Sequence, residues 1–297
     1  MISITFIIVL GAQEGMAQGP LGVHVTISPT PMAGIAMIDA LGIDCCQLFT
    51  HNPRGWAFKP LDERQTGEFR AAIVKRKIVP VISHCNYLIN LAAPTFFDES
   101  VHCLAEELRY AKAFGCTYFV LHVGKSKDTG TEAGIASVIK GIASVRDELL
   151  SSGVMLLLET VAGQGSEVGA KFEDLNRIIE GLPLDLRSHV GVCLDTCHVW
   201  SAGYDLSTKE GIETTVNAIK RTFGLEKLKA IHLNDAKGVL GAHLDRHEHI
   251  GLGTIGKGFG HFLNHPAIAP IPKILETPDD EQGGFAEDLV RVKEFLH

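Results

Sequence analysis

Eight short apolar runs rich in β-branched residues alternate with longer segments of helical period, and this alternation constrains the chain more than any other feature. The runs are Leu21–Ile27, Cys45–Phe49, Val79–His84, Tyr118–Val123, Met155–Thr160, Val190–Asp195, Leu228–Asn234 and Pro272–Thr277. Between and after them, helices are expected at Met32–Leu41, Asp62–Lys77, Phe97–Phe114, Glu132–Ser151, Lys171–Glu180, Thr208–Phe223, Gly258–Leu263 and Asp279–Leu296. Strands that are apolar throughout suit a parallel sheet covered on both faces. Eight strand–helix units over about 275 residues predict an α/β fold, a single (β/α)8 TIM barrel. An open doubly wound sheet would be expected to carry a glycine-rich phosphate turn after its first strand. Here the first strand is followed by Ser28-Pro-Thr-Pro31 instead.

The barrel domain is expected to span residues 21–297, preceded by an N-terminal extension, residues 1–20, to which no function is assigned. The apolar run Ile2–Leu10 is too short to span a membrane, and no Lys or Arg precedes Arg54, so a secretory signal is not the favoured reading. The seven cysteines are odd in number and form no C-x-x-C, which argues against a disulfide framework and for buried thiols in a reducing cytoplasm. A formal charge of −8 disfavours general binding to a phosphate backbone, unless bound cations change the sum locally.

The ends of the strands carry the chemistry. Six of the eight deliver a titratable side chain after an apolar stretch: His84, His122, Glu159, Asp195 (with His198 just beyond), His232 and Glu276. The long connection after the seventh strand adds Asp245-Arg-His247. In a barrel these residues meet at the C-terminal face, where active sites are built. Burying carboxylates there without partners is costly, so cations are the expected partners. Five imidazoles and four carboxylates favour zinc, manganese or iron over magnesium or calcium. Nine candidates exceed one tetrahedral site and fit a two- or three-metal cluster with a shared carboxylate. Asp245 and His247, at i and i+2 in an extended loop, would point to one side and could form a separate site with His198. Cys85 and Cys197 are expected to face away from the cluster.

Several ordered motifs carry a resemblance: Tyr87-Leu-Ile-Asn-Leu91, Glu159-Thr-Val-Ala-Gly-Gln-Gly-Ser166, Gly191-Val-Cys-Leu-Asp-Thr-Cys-His198, Ala202-Gly-Tyr-Asp-Leu206, His232-Leu-Asn-Asp-Ala-Lys237, Asp245-Arg-His-Glu-His-Ile-Gly251 and Ile274-Leu-Glu-Thr277. Together they resemble the endonuclease IV family of apurinic/apyrimidinic endonucleases, from about Gly22 to the C-terminus. The resemblance implies a TIM barrel with three zinc ions (Zn2+), with Mn2+ or Fe2+ acceptable at one site. It places His84, His122 and Glu159 on one ion. Glu159 bridges to a second, held also by Asp195, His232 and Glu276, and His198, Asp245 and His247 hold the third. Glu159 and Glu276 are the implied catalytic carboxylates.

The resemblance further implies hydrolysis of the DNA backbone 5′ to abasic sites, leaving a 3′-hydroxyl and a 5′-deoxyribose phosphate, and trimming of blocked 3′ ends. The implied partner is double-stranded DNA bearing such lesions, with no membrane, and the protein is expected to act as a monomer. Arg54 and Tyr87 match family residues that enter DNA at the lesion. Trp56, in the Arg54 loop, is a further candidate DNA contact. Departures from the family pattern are Cys85-Asn86 where Asp-Ser is usual, Leu252 where Glu often stands, and the Ser28–Pro31 turn. A sugar isomerase or epimerase on a similar barrel would explain Glu159, Asp195, His232 and Glu276 but leave the Asp245–His247 loop idle. A metal-stabilised DNA-binding module without catalysis would be expected to lack a ligand, and none is missing.

Overall fold

The apolar runs become short parallel strands because both of their faces are covered. In the computed structural model, which describes residues 18–296, eight of them close into a barrel. They are β1 (Leu21–His24), β2 (Cys45–Leu48), β3 (Val81–His84), β4 (Tyr118–Leu121), β5 (Met155–Glu159), β6 (Val190–Asp195), β7 (Leu228–His232) and β10 (Lys273–Leu275). The closed order is β1-β10-β7-β6-β5-β4-β3-β2, with every neighbour parallel. Two further pieces, β8 (Asp235–Ala236) and β9 (His247–Glu248), pair antiparallel outside the barrel. They tie the long loop after β7 to the strand that precedes it.

The helices are α1 (Pro31–Leu41), α2 (Glu63–Arg76), α3 (Phe97–Phe114), α4 (Gly130–Ser144), α5 (Arg146–Ser152), α6 (Phe172–Gly181), α7 (Leu184–Arg187), α8 (Thr196–Ser201), α9 (Lys209–Thr222), α10 (Phe259–Leu263) and α11 (Phe285–Phe295). Local signals fix several of their ends. Asp62 caps α2 by accepting from Gln65 N, and Thr208 caps α9 by accepting from Gly211 N. Most expected strands are shorter than their apolar runs, and three further expectations shift. The helix expected over Glu132–Ser151 breaks at Val145, whose φ of −105° and ψ of 25° leave the helical range. The helix expected from Asp279 starts only at Phe285, because Asp280 and Gly283 pair in a tight turn before it. Residue Val79, expected in a strand, is 61% exposed and precedes β3.

Two apolar layers result. The larger lies between the outer face of the barrel and the helices and includes Val23, Leu48, Phe69, Leu104, Phe119, Leu158, Phe172 and Phe259. The smaller fills the barrel interior with Cys45, Ile82, Val120, Leu157, Cys193, Ala230 and Ile274, one from each strand except β1. On β1 the paired position is Gly22, opposite Cys45. All seven cysteines are buried free thiols. Among the described residues no helix is long and apolar enough to cross a membrane.

Gly22 is required by close approach: a Cβ there would lie 1.9 Å from the Cys45 carbonyl oxygen, which belongs to the neighbouring strand's backbone and cannot rotate away. Gly22→Ala should therefore lower stability by about 1–3 kcal/mol or more, as overpacking does, read as a drop in the urea midpoint. An unchanged midpoint would mean that β1 and β2 are not held this tightly.

Candidate metal centre

Side chains alternate along a strand, so a residue two positions beyond an inward apolar one also points inward. Two residues beyond the interior layer stand Gln47, His84, His122, Glu159, Asp195, His232 and Glu276, and two beyond Gly22 stands His24. The barrel thus carries a ring of eight polar residues, one per strand, directly above its apolar plug. Six members are the residues singled out at the strand ends. The other two, His24 and Gln47, were not anticipated, although counting by twos from the interior layer would have found them.

Glu159 is the hub. Its Oε2 lies 2.7 Å from His122 Nε2 and 3.3 Å from His84 Nε2, while its Oε1 lies 2.9 Å from His232 Nδ1. The ligating atoms fall into three adjoining groups: His84, His122 and Glu159; Glu159, Asp195, His232 and Glu276; and His198, Asp245 and His247. Asp245 Oδ1 is 3.2 Å from His198 Nε2 and 3.5 Å from His247 Nε2. Asp195 has two duties, since Oδ1 caps α8 by accepting from His198 N and Oδ2 accepts from Asn234 Nδ2. Cys85 faces the outer core as expected. Cys197 also packs there, yet its sulfur comes within ligand distance of Asp195 and His247.

The donor set fits divalent cations. An oxygen acceptor facing one ring nitrogen forces that nitrogen to carry the proton and leaves the other as a lone pair. His84 Nδ1 faces Cys85 O at 2.9 Å, His198 Nδ1 faces Thr160 O at 2.7 Å, and His247 Nδ1 faces Glu276 O at 3.1 Å. Their Nε2 atoms therefore turn toward the cluster, and that of His247 is buried with no hydrogen-bond partner. The charges are mutually supporting. Burial works against the Glu159 carboxylate, but His122 and His232 outweigh it and hold Glu159 well below the usual range. Burial likewise opposes Asp245, and His198 brings it down to about 2. His198 is raised, because Asp195 and Asp245 outweigh its burial. Protons and metal ions compete for the same imidazole nitrogens.

The chain matches the family model described as "Xylose isomerase-like TIM barrel" over residues 35–295. A curated Methanoculleus marisnigri protein named "Probable endonuclease 4" is 43% identical, covering 92% of this chain and 98% of its own. A Chloroflexus aurantiacus protein of the same name is 40% identical, covering 91% and 95%. The chain belongs to the endonuclease IV family. The crystal structure of endonuclease IV from Thermus thermophilus superposes with a TM-score of 0.82 at 31% identity, covering 93% of this chain and 98% of that one. A D-tagatose 3-epimerase-like protein, at 15% identity and a TM-score of 0.70 over 93% and 95%, shares the fold alone.

In this endonuclease IV family member, the side chains expected to meet DNA flank the ring. Tyr87 is 58% exposed and stands edge-on to Phe49, with ring centroids 5.2 Å apart. Arg54 is exposed on the loop after β2, whereas Trp56 is partly buried against the outer core and near Phe96. The two loops are stitched together: Tyr87 N donates to Pro53 O at 3.0 Å and Asn86 Nδ2 to Gly55 O at 2.6 Å. Beneath them Glu107 of α3, also missed in the sequence, accepts from Asn86 N through both oxygens and from His51 Nε2 at 2.7 Å. His51, Cys103 and Glu107 come within ligand distance of one another, and the Glu107 carboxylate, through its bonds to Asn86 N and His51 Nε2, braces the two loops as a strut.

The loop bearing Asp245 and His247 is anchored below the cluster. Asp235 accepts from Gly251, Gly253, Ile255 and Gly256 backbone N–H groups, and His249 is clamped between Asp288 at 2.7 Å and Asp280 at 3.1 Å. Burial lowers the His249 pKa, but the hydrogen bonds to Asp288 and Asp280 outweigh it and raise it overall. A raised folded-state value means that its stabilisation is complete below the unfolded pKa of about 6.5 and is lost as pH climbs through the folded value. The urea-midpoint gap between wild type and His249→Gln should therefore be widest near pH 6 and shrink toward pH 9. A gap that widens with pH would contradict the imidazolium clamp.

Proposed function

We propose that this chain is a zinc-dependent DNA-repair phosphodiesterase that cleaves the backbone 5′ to abasic sites, leaving a 3′-hydroxyl and a 5′-deoxyribose phosphate, and trims blocked 3′ ends. One observation carries the reading: two metal-capable groups share a buried Glu159 whose oxygens face His122 on one side and His232 on the other, and a third group, His198, Asp245 and His247, adjoins them. In this reading His84 and His122 hold one ion with Glu159. Asp195, His232 and Glu276 hold the second with the same carboxylate, and His198, Asp245 and His247 hold the third. When bound, the ions would supply Lewis acidity toward the phosphodiester and toward an attacking water.

The chain's own residues then position and exclude. Glu159 fixes the spacing of two ligand groups, and Glu276, the least buried carboxylate of its group, is placed to orient a water at the mouth of the barrel. Three divalent ions would bring the formal charge from −8 to about −2, which makes the face far less repellent to DNA. An abasic site has lost a stacked base, so its sugar is cheap to extrude, and Arg54, Trp56 and Tyr87 are the side chains we assign to the gap. The barrel is the repair domain, working as a monomer in the cytoplasm; its seven buried free thiols support the reducing compartment. An epimerase would use only the group around Glu159, Asp195, His232 and Glu276; the His198–Asp245–His247 group favours the phosphodiesterase.

Protein purified without chelator should contain close to three transition-metal ions per chain by elemental analysis and should nick an abasic duplex 5′ to the lesion. Glu159→Ala, which removes the shared ligand, should lower metal content and abolish nicking. A metal count of one, or cleavage by Glu159→Ala within tenfold of wild type, would overturn the assignment.

Arg54 offers a separate test because its loop carries no proposed ligand. Arg54→Ala should cut cleavage of an abasic duplex by roughly ten- to a hundredfold, about 1–3 kcal/mol. Hydrolysis of a small phosphodiester and metal content should stay unchanged. Equal loss on both substrates would assign Arg54 to the phosphate or the cluster instead.

A further inference from the structure

The ring of eight leaves two members, His24 and Gln47, with no place in the metal groups or the DNA-facing loops, and Gln47 has three partners inside the barrel. Gln47 has no exposed surface. Its Nε2 lies 2.5 Å from Glu276 Oε1 and 3.0 Å from His24 Nδ1, and its Oε1 lies 2.7 Å from His232 Nε2. These contacts can be satisfied in only one way. An ionised carboxylate accepts and does not donate, so the amide nitrogen must face Glu276. The amide oxygen is then left to His232, and since it too only accepts, His232 Nε2 must carry a proton. His232 Nδ1, 2.9 Å from Glu159 Oε1 and 3.2 Å from Glu276 Oε2, is then the nitrogen turned to the carboxylates, and an ion seated between them would take it by displacing the proton it shares with them.

We propose that Gln47 is a positioning residue for metal binding: through Glu276 on one side and His232 on the other, it fixes which imidazole nitrogen is presented to the ion between them. The inference rests on the proposal that Asp195, His232 and Glu276, with Glu159, hold a metal ion. His84, His198 and His247 have their far nitrogens set by main-chain carbonyls, which no substitution removes. His232 is set by a side chain, so its orientation depends on a residue that can be replaced. A glutamine serves where a glutamate would not, because it offers an acceptor to His232 without adding negative charge 2.5 Å from Glu276. An acceptor of this kind typically accounts for ten- to a hundredfold in metal affinity.

The test uses zinc-loaded protein titrated with a chromophoric zinc chelator. In Gln47→Met, which keeps the length and bulk of the side chain, one ion should be released at ten- to a hundredfold lower chelator concentration, with the remaining ions on the wild-type curve. Zinc-loaded wild type labelled with ¹⁵N-histidine provides a readout that does not depend on the variant folding. Long-range ¹H–¹⁵N spectra should show His232 protonated at Nε2 with Nδ1 metal-shifted, and Gln47→Met should lose that single pattern. Release curves that coincide, or a wild-type His232 protonated at Nδ1, would overturn the proposal while leaving the metal centre intact. Wild type that takes up no zinc would overturn the metal centre itself, and this inference with it.

Discussion

Glu159 has no exposed surface, and its oxygens reach His122 on one side and His232 on the other. A carboxylate without water must be compensated where it stands, or it neutralises or destabilises the fold. The barrel compensates it with a ring of imidazoles delivered by neighbouring strands. That arrangement depends on register: a one-residue slip would turn those side chains into the helix layer and bring apolar ones inward. On each strand the polar residue stands two places beyond the apolar one, and the stagger between strands sets Glu159 opposite Cys193 but Asp195 opposite His232, so the polar residues close over the apolar plug in a stepped ring. Packing below and electrostatics above are therefore two outcomes of one strand geometry.

Much of this was legible in the sequence because the barrel writes its active end in a simple form. An apolar run that ends in His, Asp or Glu is a strand whose last inward residue is polar, as in Leu156-Leu-Leu-Glu159 or Val192-Cys-Leu-Asp195. Gln47 escaped because an amide in Cys45-Cys-Gln-Leu48 carries no charge and fits no ligand pattern. Glu107 escaped because, beside Glu106 on a long helix, it looks like one more solvated acid, and only the tertiary approach of Asn86 and His51 reveals it. The break at Val145 and the turn at Asp280–Gly283 fall where helical periodicity continues in the sequence but the barrel needs a change of direction.

The loop departures noted in the sequence acquire physical meaning in this setting. Cys85 turns outward into the helix layer. Asn86 takes over the loop, with its amide reaching Gly55, its oxygen accepting from Leu88 N at 2.7 Å and its backbone N–H held by Glu107. Leu252, 49% exposed, crowns a turn whose backbone is gathered by the Asp235 carboxylate, so the side chain at that tip can vary without disturbing the support beneath it.

Glu107 is on the flank of the barrel, sealed from solvent, and yet it grips the roots of both loops that carry Arg54 and Tyr87. Those two side chains consequently share a single mount rather than moving as independent fingers. Their separation is set by the direct bonds between the loops and, beneath these, by a carboxylate that touches neither side chain. Widening or narrowing the gap they span is therefore a matter of repacking α3 beneath His51 and Asn86, and the exposed tips could be kept as they are.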